Sequence, residues 1–116
     1  LMSESQNHSK NLNNLFKKNL DDIEYPSQKQ KNELWNISGI LKNRLNQKLK
    51  FDTRPIEKEG FKIGSFKSKA DKIVFYLNKK WIIIDVQELH DYIKKNNMKD
   101  INIEELINNL EWNITL

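Results

Sequence analysis

The sequence predicts an α+β fold, in which a three-stranded antiparallel sheet (about 61–66, 72–77 and 81–86) packs on a long helix (about 27–49). Three observations predict it. Leu34, Ile37, Leu41, Leu45 and Leu49 recur at helical spacing within a segment, 27–49, long enough for about six turns. The runs Lys72-Ile-Val-Phe-Tyr-Leu77 and Trp81-Ile-Ile-Ile-Asp-Val86 are rich in β-branched and aromatic residues, and Asn78-Lys79-Lys80 joins them as a hairpin would. The chain has 116 residues, 37% apolar and 31% charged, which suits one domain with one core and a part that stays outside it.

Taken in order, residues 1–10 are polar and nearly aperiodic, and are expected to be a disordered tail. Leu12, Leu15, Phe16, Leu20 and Ile23 then fall at helical spacing, predicting a short amphipathic helix over 11–25 that ends at Tyr25-Pro26. So short a helix must dock on something to persist, whether its own domain or a second copy of the chain. A single α+β domain is expected over 26–116. Ser27 and Gln30 form a capping-box pattern that would open the long helix, with Trp35 and Ile40 widening its stripe and Gly39 as a weak point within it. Arg54-Pro55 and Glu59-Gly60 read as loop. In the hairpin Ile73, Phe75 and Leu77 share a face, as do Ile82, Ile84 and Val86. Val74, Tyr76, Trp81 and Ile83 make the other side apolar too, so the sheet must be covered twice or bind something. Asp85 and Glu88 can cap a helix carrying Val86, Leu89 and Ile93, and Asn102 and Glu105 can cap another carrying Ile103, Leu106, Ile107 and Leu110. Residues 112–116 read as a closing strand or a tail.

Composition narrows the chemistry. The absence of cysteine removes disulfides, thiolate metal sites and cysteine nucleophiles, and a cytoplasmic location fits best. No apolar run, Trp81 to Ile84 included, comes near the roughly 20 residues that cross a bilayer, and no apolar stretch follows a basic start, so neither a membrane nor a secretory route is expected. The chain carries no Gly-rich phosphate loop, no His-Glu-x-x-His pattern and no Gly-x-Ser-x-Gly elbow. His8 and His90 are its two histidines, too few for a histidine-based site.

The net charge is +4, and 18 of the 20 basic residues are lysine, the others being Arg44 and Arg54. Lys, Asn and Ile have A/T-rich codons, so an AT-rich genome explains much of the lysine. The distribution says more. Residues 42–80 hold twelve basic and four acidic residues, a net of +8, whereas residues 1–41 balance and residues 81–116 sum to −4. A self-complementing surface is one reading of this pattern, and a face for RNA, DNA or an acidic protein is the other. On the second reading, phosphate contacts would come from Arg44, Lys48, Lys50, Arg54, Lys67, Lys69, Lys79 and Lys80. Tyr76 and Trp81, beside the basic turn, would offer stacking surfaces for bases, or else close the second face of the sheet. The leading expectation is a small intracellular binding protein rather than an enzyme, with no cofactor and with assembly through the N-terminal helix as a further alternative.

One constellation resembles a known family. A helix, a strand after Gly60-Phe61, Asp71 at the head of a second strand and Asp85-Val86-Gln87 at the end of a third, followed by a helix, resembles the core layout of PD-(D/E)xK nucleases over roughly residues 27–95. The resemblance implies metal-dependent phosphodiester hydrolysis, with Asp71 and Asp85 holding Mg²⁺ or Mn²⁺ and Glu33 as a third ligand. Gln87 stands where the family has its catalytic lysine, and Ala70 where it has proline.

Overall fold

The computed structural model describes residues 12–62 and 68–116. The expected tail and the candidate phosphate-binding residue Lys67 lie outside the described residues. A helix, described over 12–16 (α1), runs into a 3-10 turn, Lys17–Asn19, and then a strand, Leu20–Glu24 (β1). A second 3-10 turn, Gln28–Glu33, precedes Ile37–Leu41 (β2) and Leu49–Pro55 (β3). Gly60–Lys62 (β4), Lys72–Leu77 (β5), Lys80–Asp85 (β6), Val86–Asn96 (α2), Asp100–Asn102 (β7), Ile103–Asn109 (α3) and Asn113–Thr115 (β8) follow.

The main sheet has six strands in the order β1-β2-β3-β5-β6-β8, not three, and β3 lies parallel to β5 while all its other neighbours pair antiparallel. Of the expected strand over 61–66, residues 63–66 lie outside the described residues, and Phe61 and Lys62 belong to β4, which pairs with β7 in a separate small sheet. The expected long helix over 27–49 does not form. Its capping box closes only the 3-10 turn, which ends where Leu34 adopts φ 62°. Beyond it, Ile37, Gly39 and Leu41 alternate along a strand between two partners. Gly39 is the residue that permits this. A Cβ there would lie 2.9 Å from the Asp21 carbonyl oxygen and 3.0 Å from Leu20 Cβ, so β1 can approach only a glycine. Gly39→Ala is therefore expected to destabilise the fold by about 1–3 kcal/mol in urea unfolding. In an exposed helix the same change would stabilise by about 1 kcal/mol, so the sign of the effect separates the two structures.

The hairpin forms between β5 and β6 through Asn78 and Lys79, both at positive φ as a two-residue type I′ turn requires. Both C-terminal helix caps form, with Asp85 accepting from the Glu88 N–H and Asn102 from the Glu105 N–H. The main sheet is covered on both faces. On one, Ile73, Phe75, Ile82 and Ile84 meet Leu89 of α2, Leu106 of α3 and Ile101 of β7. On the other, Val74, Ile83, Phe51 and Ile37 meet Phe16 and Leu20. The N-terminal segment thus spends Leu12, Phe16 and Leu20 on its own domain, while Leu15 and Ile23 stay exposed. Trp112, Ile114 and Leu116 pack on the same cluster, and Glu88 accepts the backbone N–H groups of Glu111 and Trp112, which anchors β8 to α2. No helix among the described residues is long and apolar enough to cross a membrane.

Candidate functional site

One end of the main sheet gathers groups that are distant in sequence. There β2 ends, β3 and β5 begin and β6 ends, because the register sets Gly39 opposite Leu49, Phe51 beside Lys72 and Lys72 opposite Asp85. A cleft of about 510 Å³ opens at this end, with Gln47, Ser68, Lys69, Asp71, Asp85 and Gln87 among its walls. Arg44, Lys48 and Lys50 belong to the connection and strand start that bound it.

At the cleft, Lys72 and Asp85 form an ion pair, Nζ to Oδ1 at 2.6 Å, and the Lys72 ammonium also sits 3.8 Å from the centre of the Trp112 ring. Lys72 is 9% exposed. Hairpin register, counted outward from the Asn78-Lys79 turn, would have placed these two residues opposite one another, yet Lys72 was not among the sequence-predicted site residues. The other oxygen of Asp85, Oδ2, accepts the Glu88 N–H at 2.9 Å. Burial pushes the Asp85 carboxyl up, but the hydrogen bonds from Lys72 and from the α2 backbone outweigh it and hold the group below its ordinary value. A depressed folded-state pKa adds stability above the ordinary carboxylate range, and that contribution is lost as pH falls through the folded value. The gap in unfolding free energy between wild type and Asp85→Asn is expected to be about 1–3 kcal/mol at neutral pH and to close as pH falls below the ordinary carboxylate range and through the depressed folded-state value, measured by urea denaturation across pH.

The carboxylates named for metal are each engaged. Asp71 Oδ2 accepts the Lys50 N–H at 2.8 Å, and the Asp71 backbone bonds to Lys50 and Val86. Glu33 accepts from Trp35 Nε1 at 2.9 Å and pairs with Lys50, and these partners hold its carboxyl below the ordinary value. Gln87 lies in the first turn of α2 and donates to Asp91, so Asp85 and Gln87 do not alternate along one strand as a (D/E)-x-K pair would. Among the described residues no three acidic or histidine side chains lie together as metal ligands would. As folded, the arrangement does not fit a Mg²⁺ or Mn²⁺ ion held by Asp71, Asp85 and Glu33.

Of the ten residues expected at a nucleic-acid surface, the nine that are described divide between the two ends of the sheet. Arg44, Lys48, Lys50 and Lys69 lie at the cleft end, and Arg54, Tyr76, Lys79, Lys80 and Trp81 at the other. Several basic groups are already paired: Lys48 with Asp22 and Glu24, Lys50 with Glu33, and Arg54 with Asp52. The hydrogen bond to Glu24, opposed by burial, raises the Lys48 ammonium above its ordinary value. Arg44, Lys69, Lys79 and Lys80 stand in no ion pair among the described residues. Tyr76 and Trp81 pack on one another at 4.3 Å between ring centres, and Trp81 also meets Phe16 at 5.2 Å. Trp81 therefore closes the second face of the sheet. Comparison with known proteins assigns no relative: no family model, curated protein or solved structure gives a significant match.

Proposed function

We propose that the protein is a non-enzymatic module that binds the phosphate backbone of a nucleic acid at the open end of the main sheet. The observation that carries this reading is the convergence of Arg44 and Lys69 on one end of the sheet from connections some 25 residues apart, neither of them neutralised by an ion pair among the described residues. Gln47 and Ser68 add neutral hydrogen-bonding groups to the cleft walls there. Lys48 and Lys50, although paired, keep the rim positive once a strand displaces exposed carboxylates, because such surface pairs are weak. Phosphate binding of this kind supplies affinity without sequence information.

The test is a fluorescence-anisotropy titration of labelled single-stranded RNA and duplex DNA at low and physiological salt, with and without Mg²⁺ or Mn²⁺. Wild type should bind, with affinity falling steeply as salt rises. Arg44→Glu/Lys69→Glu should weaken binding and lower the slope of log affinity against log salt by roughly 0.9 for each duplex phosphate that is no longer neutralised. Lys79→Glu/Lys80→Glu, at the far end, should change neither. Affinity that is independent of salt, or that responds only to the far-end pair, would overturn the assignment of this cleft. Metal-dependent cleavage abolished by Asp85→Asn would replace the reading with hydrolysis.

A further inference from the structure

A second cleft, of about 600 Å³, lies beside the middle of β3 and shares no lining residue with the first. Its walls include Asn13 of α1, Lys31 of the second 3-10 turn, Leu34, Asn36 ahead of β2, and Asp52 and Arg54 of β3. Asp52 is 5% exposed, an unusual position for a carboxylate. It takes Arg54 Nε at 3.2 Å and an Nη nitrogen at 2.9 Å, so the guanidinium is held in one orientation at the cleft.

The neighbouring residue of β3 orients the amides. The backbone N–H of Thr53 donates to Asn36 Oδ1 at 2.8 Å, and its hydroxyl donates to Asn13 Oδ1 at 3.0 Å. A backbone N–H can only donate, so the Asn36 oxygen is turned to β3 and its NH₂ group is left for the cleft that Asn36 lines. In the structure the Thr53 hydroxyl likewise faces the Asn13 oxygen, which places the Asn13 NH₂ group on the other side of its amide. The walls therefore present N–H groups of Asn13, Asn36 and Lys31, with the Arg54 guanidinium held beside them on Asp52. The single carboxylate among them, Asp52, is committed to Arg54. With Lys31 and Arg54 against Asp52 the lining carries a net charge of +1.

A donor-rich, positive cleft selects an acceptor-rich anion. Donors arriving from α1, the 3-10 turn, the residue ahead of β2 and β3 surround the space, which suits the three terminal oxygens of a phosphate better than the two coplanar ones of a carboxylate. Leu34, 47% exposed at the rim, adds an apolar surface next to the donors. We infer that this cleft binds the phosphate group of a nucleotide, with Leu34 against the sugar or base. The site does not depend on the sheet-end cleft.

The test is an NMR titration of the full chain with adenosine 5′-monophosphate, inorganic phosphate, pentathymidylate and acetate, following the Asn36 side-chain amide, Arg54 Nε–H and Thr53 backbone signals. Saturable shifts at these groups are expected with the phosphate ligands. Asn36→Asp keeps an oxygen for the Thr53 N–H but replaces the donors with negative charge, and should weaken binding by about tenfold or more; Lys31→Gln, at an exposed position, should weaken it by several-fold. Tighter binding of the mononucleotide would identify a free nucleotide as ligand, and tighter binding of pentathymidylate a strand; either supports the site. Three results would overturn it: no saturation by about 10 mM phosphate ligand, unchanged affinity in a folded Asn36→Asp, or equal shifts with acetate.

Discussion

Asp85→Ala is expected to destabilise the protein by about 3 kcal/mol, a large part of the roughly 5–15 kcal/mol by which domains are stable. Two losses combine. The α2 N-cap disappears, at about 1 kcal/mol, and among the described residues the Lys72 ammonium, 9% exposed, keeps the Trp112 ring as its partner. The second loss is set near the low end of the buried-pair range because the Asp85 side chain is itself 27% exposed. Urea denaturation at neutral pH measures the total. A cycle with Lys72→Met separates the parts: once the ammonium is gone, Asp85→Ala should cost only about the cap, so the double variant should be more stable than additivity predicts. Strict additivity would show that the pair contributes nothing.

Phe16→Ala should have an effect of at least similar size, about 3–5 kcal/mol. The ring is fully buried, edge-on to Phe51 at 5.3 Å and against Trp81 at 5.2 Å, and it joins α1 to the middle of the main sheet. Loss of the near-ultraviolet circular dichroism of Trp81 should accompany the lower urea midpoint. A cost below about 1 kcal/mol would mean that α1 is not part of the core. The residues that made an assembly role for this helix attractive, Leu12, Phe16 and Leu20, are the ones the domain buries, so truncation before β1 should unfold the protein rather than release a partner.

The sequence reading departs from the structure where short segments depend on partners. Over 34–49, the spacing of Leu34, Ile37, Leu41, Leu45 and Leu49 fits a helix, but Ile37, Gly39 and Leu41 also alternate as a strand does. Asn43, at φ 60°, and the Asn46-Gln47 pair lie in the connection between the two strands. The choice fell to the ladder hydrogen bonds that β1 and β3 offer on either side, which outweigh local propensity. β4, β7 and β8 have three residues each and exist through their partners, and the parallel pairing of β3 with β5 joins segments with no local signal to connect them.

At the candidate sites the same division holds. Lys72 could have been found opposite Asp85 by counting register from the turn, since a hairpin is local. The arrangement of Asn13, Asn36 and Thr53 could not, because it needs α1, the residue ahead of β2 and β3 to meet. By itself the sequence determined the β5–β6 hairpin, the two C-terminal helices with their caps, and a sheet apolar on both sides, all through interactions between residues close in the chain. Only the tertiary structure decided that residues 37–55 hold two strands, that the basic residues separate to opposite ends of the sheet, and that two clefts lie along β3. Those outcomes rest on long-range pairing, whose energy belongs to segments that carry no mark of one another.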